Sequence, residues 1–156
     1  MSKALVLLIC LASIPAFAAD AEVKPIAQDE CAALAKAVSA AIGLPLKTKV
    51  AAPKLPDGLH GSACLLSGKA RGLTIGFVAA QDKIENSLAG WKHLPEQDAD
   101  GPYSTVKGFA KDAERFFYSL ESEPVRGACS DNKPIGDCKA PPRQWIWTLE
   151  ASAFVQ

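Results

Sequence analysis

The apolar residues between positions 26 and 42 recur at steps of three and four, which is the spacing of one face of an α-helix. This stripe consists of Cys31, Leu34, Ala35, Val38, Ala41 and Ile42. Asp29 and Glu30 suit the positive N-terminal end of the helix dipole. Gly43 can cap the C-terminus, and Pro45 prevents the helix from continuing. The pattern predicts an amphipathic helix with one buried face.

The next third of the chain predicts a β-hairpin followed by a second helix. The apolar runs Ser62–Leu66 and Leu73–Val78 flank a segment rich in Gly, Ser and Lys, a composition typical of a hairpin turn. Asp82 and Glu85 have the spacing of a capping box, which predicts that the second helix begins near Asp82. The apolar stripe of this helix is formed by Ile84, Leu88 and Trp91.

Three segments in the last third of the chain predict strands, two by their alternation and the middle one as a run rich in Phe116, Phe117, Tyr118 and Leu120. Their expected ranges are Tyr103–Phe109, Arg115–Glu121 and Gln144–Ala151. In the last of them, Trp145, Trp147 and Leu149 share one face. Exposed tryptophans could bind sugar rings or a partner protein, but two tryptophans at a spacing of two more often line a core. We therefore predict that this face is buried against the helices.

Together these elements predict one α+β domain over residues 19–156. The expected architecture is an antiparallel sheet of about five strands with both helices packed on one face. No internal repeat, low-complexity tract or linker indicates a second domain.

The first 18 residues predict a cleaved signal peptide. Lys3 precedes the apolar run of residues 4–11, and Ala16-Phe17-Ala18 fits the small-x-small rule for signal peptidase. The apolar run is shorter than the roughly 20 residues that cross a bilayer, so no stable membrane insertion is expected. The protein is therefore expected to be periplasmic or secreted.

The cysteines predict two disulfides. Cys10 lies in the signal peptide, which leaves Cys31, Cys64, Cys129 and Cys138 in the exported chain. An even number of cysteines in an oxidising compartment indicates disulfides. Three pairings are open, and we favour Cys129–Cys138, which closes a short loop, with Cys31–Cys64 joining the first helix to a strand. Zinc is the competing use, but no Cys-x-x-Cys pair is present.

The balance of charge argues against a nucleic-acid partner. The chain has 17 basic and 17 acidic residues, and neither sign dominates a long stretch. Nucleic-acid binding depends on a basic face that contacts phosphates. The chain also lacks a phosphate-binding glycine loop, so no cofactor is expected.

The stretch EQDADGPYS resembles the front half of a calcium-binding loop. Glu96, Asp98 and Asp100 would occupy the first, third and fifth positions of that loop, and Gly101 the sixth. The twelfth position, where a bidentate glutamate should close the cage, is Lys107. We therefore predict an ordinary turn and no metal site, with a weak, incomplete cation site as the alternative.

The sequence contains no assembled catalytic motif. It has neither a Gly-x-Ser-x-Gly elbow nor a His-Glu-x-x-His pair. The leading hypothesis is a non-catalytic binding or interaction protein, a class that includes inhibitor modules, whose partner is another envelope or extracellular protein. Its candidate binding surface consists of His93, Glu96, Asp98, Asp100 and Tyr103. The alternatives are a small periplasmic hydrolase that uses His93 with the acidic residues at 96–100, and a structural envelope protein.

The first testable prediction concerns processing. On export from a bacterial host, the mature protein is expected to begin at Ala19, because the peptidase requires small residues at the first and third positions before the cut. Intact-mass spectrometry of the exported protein measures this directly. Ala18→Arg should block cleavage, and a wild-type mass that retains residues 1–18 would contradict the prediction.

Overall fold

The chain adopts an α+β fold, described here from a computed structural model that covers residues 22–130, 132 and 134–156. The predicted signal peptide, residues 1–18, lies outside the described residues. The two helices are α1, Gln28–Ile42, and α2, Phe77–Ser87. No helix among the described residues has the length and apolar character needed to cross a membrane.

Nine strands form the sheet within the described residues. They are β1 Glu22–Pro25, β2 Lys47–Ala51, β3 His60–Gly61, β4 Ala63–Arg71, β5 Lys92–His93, β6 Ala99–Gly101, β7 Ser104–Lys111, β8 Glu114–Pro124 and β9 Trp145–Val155. The main strand order is β2-β4-β9-β8-β7-β5, and every pairing along this path is antiparallel. The predicted antiparallel sheet is confirmed. Its predicted size of about five strands is wrong, because β1, β3, β5 and β6 are too short to show an alternating pattern.

Strand β4 replaces the predicted hairpin. It runs without interruption through Ser67–Arg71, where the turn was predicted, because β2 pairs with its first half and β9 with nearly its whole length. Gly68 serves close packing rather than a turn, since a Cβ atom there would lie 2.5 Å from the carbonyl oxygen of Pro45. The second predicted hairpin strand, Leu73–Val78, is instead a connection that enters α2 at Phe77.

Helix α2 begins earlier than its predicted capping box. Its N-cap is Gly76 in an extended conformation, so Asp82 lies within the helix and does not cap it. Phe77, Ala80 and Ile84 follow one another at steps of three and four, which continues the apolar stripe toward the N-terminus. The helix ends at Ser87, and Leu88 is buried just beyond it.

The main core lies between the helices and one face of the sheet, as predicted. Both helices contribute to it, and the sheet contributes the alternate residues of its central strands. In β9, Trp147 is 3% exposed and Leu149 is fully buried. Leu34, Val38 and Leu88 belong to the same cluster. The prediction that the tryptophan face of the last strand is buried against the helices is confirmed.

A second, smaller core covers one end of the opposite face. It consists of Val23, Ala63, Leu65, Phe117 and Phe154, with Leu55 and Leu59 packed over it. The buried hydroxyl of Ser152 anchors this cover, because it accepts hydrogen bonds from the backbone N–H groups of Lys54 at 3.1 Å and Leu55 at 3.3 Å. The proline-rich segment after β2 therefore covers this end of the sheet.

Two disulfides join the cysteines in the favoured pairing. Cys31–Cys64 links α1 to β4 through two buried residues whose Cα atoms are 6.1 Å apart. Cys129–Cys138 closes the loop that leads to β9, with Cα atoms 5.4 Å apart. Two disulfides fit a protein of an oxidising compartment.

The burial of β9 generates a prediction about stability. Trp147→Ala should lower the free energy of unfolding by about 3–5 kcal/mol, because it removes buried apolar area and leaves a cavity. Thr148→Ala, one position along and on the other face, should change it by less than about 0.5 kcal/mol. Urea denaturation followed by circular dichroism compares the two variants. Near-native stability of Trp147→Ala would contradict the assignment of this face to the core.

Candidate binding site

The structure brings three of the predicted surface residues together around one lysine. Lys107 Nζ donates to Asp98 Oδ2 at 2.9 Å and to Asp100 Oδ2 at 3.0 Å. His93 Nε2 lies 3.0 Å from Asp98 Oδ1. The hydroxyl of Thr105 donates to Asp100 Oδ1 at 2.6 Å. We call these five residues the charged cluster.

Strand pairing explains how the charged cluster forms. His93 in β5 lies opposite Phe109 in β7, and Asp100 in β6 lies opposite Thr105 in the same strand. Of the stretch predicted as one turn, only Pro102 and Tyr103 form a turn between strands, because Pro95–Gln97 is a short 3-10 helix and Ala99–Gly101 is strand β6. Of the remaining predicted surface residues, Glu96 is exposed and outside the cluster, and Tyr103 belongs to the pocket described below.

The charged cluster satisfies its own charges. Burial lowers the pKa of Lys107, but the hydrogen bonds to Asp98 and Asp100 outweigh burial and raise this pKa above its ordinary value. The Thr105 hydroxyl and then the Lys107 ammonium lower the pKa of Asp100. The ammonium therefore lies between the two carboxylates that a calcium ion would need. Among the described residues, no group of three or more metal-ligating side chains is placed to hold a metal.

His93 contacts a carboxylate of the cluster and not a nucleophile. Its ring packs on Phe109 with centroids 5.2 Å apart, and its hydrogen-bond partner is Asp98. Within the described part of the chain, His93 forms no hydrogen bond to a hydroxyl or thiol that it could activate. The pair of His93 and Asp98 joins β5 to the turn that precedes β6.

An apolar pocket lies beside Tyr103. It is bounded by the start of α2, the start of β9 and the segment from Cys138 to Pro142. Its volume is about 240 Å³. We call it the aromatic pocket. It is lined by Leu73, Ile75, Gly76, Phe77, Tyr103, Ser122, Cys138, Ala140, Pro142, Trp145 and Trp147.

Four aromatic rings in mutual contact line this pocket. The Phe77 ring stacks on Trp147 and meets Tyr103 edge-on, with centroids 6.0 Å apart in both pairs. The Tyr103 and Trp145 centroids are 4.8 Å apart. Trp145 Nε1 donates to the carbonyl oxygen of Ala140 at 3.0 Å, which ties the segment after Cys138 to the ring. Ring contacts therefore support this lining at Phe77 and Tyr103, and a hydrogen bond supports it at Trp145.

The aromatic pocket remains partly open to solvent. Leu73, Ile75, Phe77 and Tyr103 are only partly buried, whereas Trp145 and Trp147 form a buried floor. Val78, next to Phe77 on the first turn of α2, is 67% exposed. Apolar side chains that converge on one opening mark a surface that can be covered by another molecule.

Sequence reasoning identified only part of this pocket. It selected Tyr103 for the surface, assigned Trp145 and Trp147 to the core alone, and placed Phe77 in a strand that does not exist. Leu73, Ile75 and Phe77 alternate, which is also the pattern of a strand, so the spacing did not distinguish a pocket rim. Comparison with protein-family models, curated proteins and solved structures gave no significant match.

The charged cluster predicts a pH-dependent effect of removing its lysine. Lys107→Met should lower the melting temperature at pH 7 by about 2–5 °C, because Asp98 and Asp100 then lose the ammonium that they share. The stabilisation from a lowered carboxylate pKa exists above the ordinary value and is lost as the pH falls through the folded-state value. The difference from wild type should therefore shrink only below pH 3.8, the ordinary pKa of Asp100.

Thermal unfolding monitored by circular dichroism from pH 2 to pH 9 measures this difference. Lys69→Met is the matched control, because Lys69 is exposed in β4 and forms no ion pair within the described residues. Equal melting temperatures for wild type and Lys107→Met at pH 7 would contradict the prediction. A rise in the wild-type value with micromolar calcium would contradict the placement of the ammonium between the carboxylates.

Proposed function

We propose that this protein is a non-catalytic periplasmic or secreted binding protein that holds another envelope or extracellular protein by an apolar segment seated in the aromatic pocket. The observation that carries the proposal is the partly open wall of aromatic rings around Phe77 and Tyr103. Aromatic residues that remain accessible in a preformed depression supply most of the binding energy in many protein interfaces.

The size of the pocket favours a side chain over a larger ligand. Sites for cofactors and drug-sized molecules usually enclose about 300–1,000 Å³. The aromatic pocket, at about 240 Å³, falls below that range. It suits one or two apolar side chains of a partner, whose transfer from water stabilises a complex by about 25 cal/mol for each Å² of apolar area buried.

The rigidity of the pocket also supports binding. The hydrogen bond from Trp145 to Ala140 and the nearby disulfide at Cys138 hold the loop wall, while Phe77 is fixed at the first turn of α2. A site that is ordered before binding loses less conformational entropy when the partner arrives. The charged cluster offers less, because its carboxylates already have partners.

A small hydrolase is the second candidate. The observation that favours it is the 3.0 Å contact between His93 Nε2 and Asp98, an arrangement in which a carboxylate can orient a general base. Asp98 also accepts a hydrogen bond from Lys107, which makes it part of a structural ion-pair network. We therefore prefer the binding function.

The proposal predicts a selective loss of capture in one variant. Ile75→Asp places a carboxylate in the apolar wall, where desolvation of the charge opposes binding. Val50→Asp is the matched control, because Val50 is 65% exposed on the edge strand β2, away from the pocket. A protein retained from envelope extract by the wild-type domain and by Val50→Asp should be retained at least about ten-fold less by Ile75→Asp.

The retained protein is then purified and its affinity measured by titration calorimetry against the same variants. Circular dichroism confirms that both variants are folded. His93→Ala should bind as wild type does, since the charged cluster is not the proposed site. Equal affinity of wild type and Ile75→Asp would reject the aromatic pocket, and loss of binding in His93→Ala alone would move the site to the charged cluster.

A further inference from the structure

A second depression adjoins the aromatic pocket and differs from it in charge. It has a volume of about 290 Å³ and is lined by Phe77, Val78, Gln81, Asp82, Glu85, Asp100, Gly101, Pro102 and Lys107. We call it the acidic pocket. Phe77 lines both pockets, and the turn at Gly101–Tyr103 runs along both. A ligand bound in one pocket can therefore reach the other pocket across Phe77.

The charged groups of the acidic pocket leave an excess of negative charge. Three carboxylates, those of Asp82, Glu85 and Asp100, face one ammonium, that of Lys107. Lys107 already donates to Asp98 as well as to Asp100. Within the described part of the chain, Asp82 and Glu85 form no ion pair. Both carboxylates on α2 are thus available to a cation from another molecule.

The negative potential extends to a neighbouring buried phenol. Tyr118 lies opposite Lys107 in the sheet, and its hydroxyl has no hydrogen-bond partner among the described residues. Burial is the main reason that the pKa of Tyr118 is raised, and the carboxylates of Glu85, Asp98, Asp100 and Asp82 raise it further. Four carboxylates therefore lie close enough to affect Tyr118, with the single ammonium of Lys107 among them.

We propose that the segment held by this protein contains an apolar residue next to a basic residue. The apolar side chain occupies the aromatic pocket, and the arginine or lysine passes Phe77 to meet Asp82 and Glu85. This inference rests on the proposed function and adds the chemistry of the partner. Complementary charge beside an apolar anchor selects among partners by repelling acidic segments as well as by attracting basic ones.

Three blocked dipeptides that differ in one side chain test the inference. Acetyl-Phe-Arg-amide, acetyl-Phe-Gln-amide and acetyl-Phe-Glu-amide are titrated into the ¹⁵N-labelled mature domain, and the backbone amide signals of residues 77–82 report binding. The expected affinity order is Arg, then Gln, then Glu. We expect roughly a five-fold difference between the Arg and Glu peptides at low salt, given the strength of exposed ion pairs. This difference should largely disappear at 0.5 M salt because of screening.

Paired variants assign the order to the two carboxylates on α2. The double variant Asp82→Asn, Glu85→Gln should bind all three peptides with similar affinity. The control Glu121→Gln, Glu123→Gln removes two exposed carboxylates of β8 and should preserve the order. An order that persists in the Asp82 and Glu85 variant would overturn the inference.

The outcomes separate this inference from the function on which it rests. Equal binding of the three peptides by wild type, weakened by Ile75→Asp, would overturn the basic-residue requirement and leave the apolar site standing. No binding of any peptide at millimolar concentration would overturn both. Signals of residues 77–82 that shift with protein concentration alone would show that a second copy of this chain fills the pockets, which also overturns the inference.

Discussion

The structure depends on the position of β9 at the centre of the sheet. This strand pairs with β4 on one side, with β8 on the other, and at its end with β1. Its alternation places Trp147, Leu149 and Ala151 toward the helices, and paired strands must then present their own apolar residues to the same face. A shift of β9 by one residue would turn both tryptophans to the other face of the sheet. The register of this strand therefore determines where the helices pack and where the pocket forms.

The aromatic pocket is a consequence of this register and of the early start of α2. Because the helix begins at Phe77, its first turn covers only part of the tryptophan end of β9. The segment from Cys138 to Pro142 lines the pocket from another side and is held by the hydrogen bond from Trp145 to Ala140. Buried tryptophans thus serve two purposes at once, because the rings that stabilise the core also form the floor of an opening. Variants that truncate these rings would change both stability and the proposed binding, whereas a change at the rim, such as one at Ile75, would test binding with less effect on stability.

The long, strongly periodic elements of the fold could be predicted from the sequence. The apolar stripe of α1, the aromatic-rich run of β8, the alternation of β9 and the pairing of the four cysteines each had a local or compositional signal. Two errors arose where one pattern fits two structures. Leu73, Ile75 and Phe77 alternate like a strand, while Phe77, Ala80 and Ile84 have helical spacing, and tertiary packing on β9 favours the helix. Ser67–Arg71 has the composition of a turn, but pairing with β9 along the whole segment holds it in β4, and β2 adds a partner at Ser67.

The acidic residues of the candidate site had a signal in the sequence, whereas its aromatic residues did not. Lys107 at the closing position of the acidic stretch argued against a calcium loop, and in the structure its ammonium donates to Asp98 and Asp100. The aromatic pocket had no comparable signal, since its rings come from positions 77, 103, 145 and 147, and only the folded chain brings them together.

The contrast between the charged cluster and the aromatic pocket bears on function more generally. The acidic stretch has the residue types of a site, yet each of its aspartates already has a partner within the fold: Lys107 for both, Thr105 for Asp100 and His93 for Asp98. A ligand would have to break those hydrogen bonds to replace them, and the net gain would be small. The pocket rim is in the opposite state, because Phe77 and Val78 keep apolar area in water that an incoming side chain would remove. An incoming apolar side chain would therefore gain free energy at this rim, and beside it lie Asp82 and Glu85, which form no ion pair within the described residues.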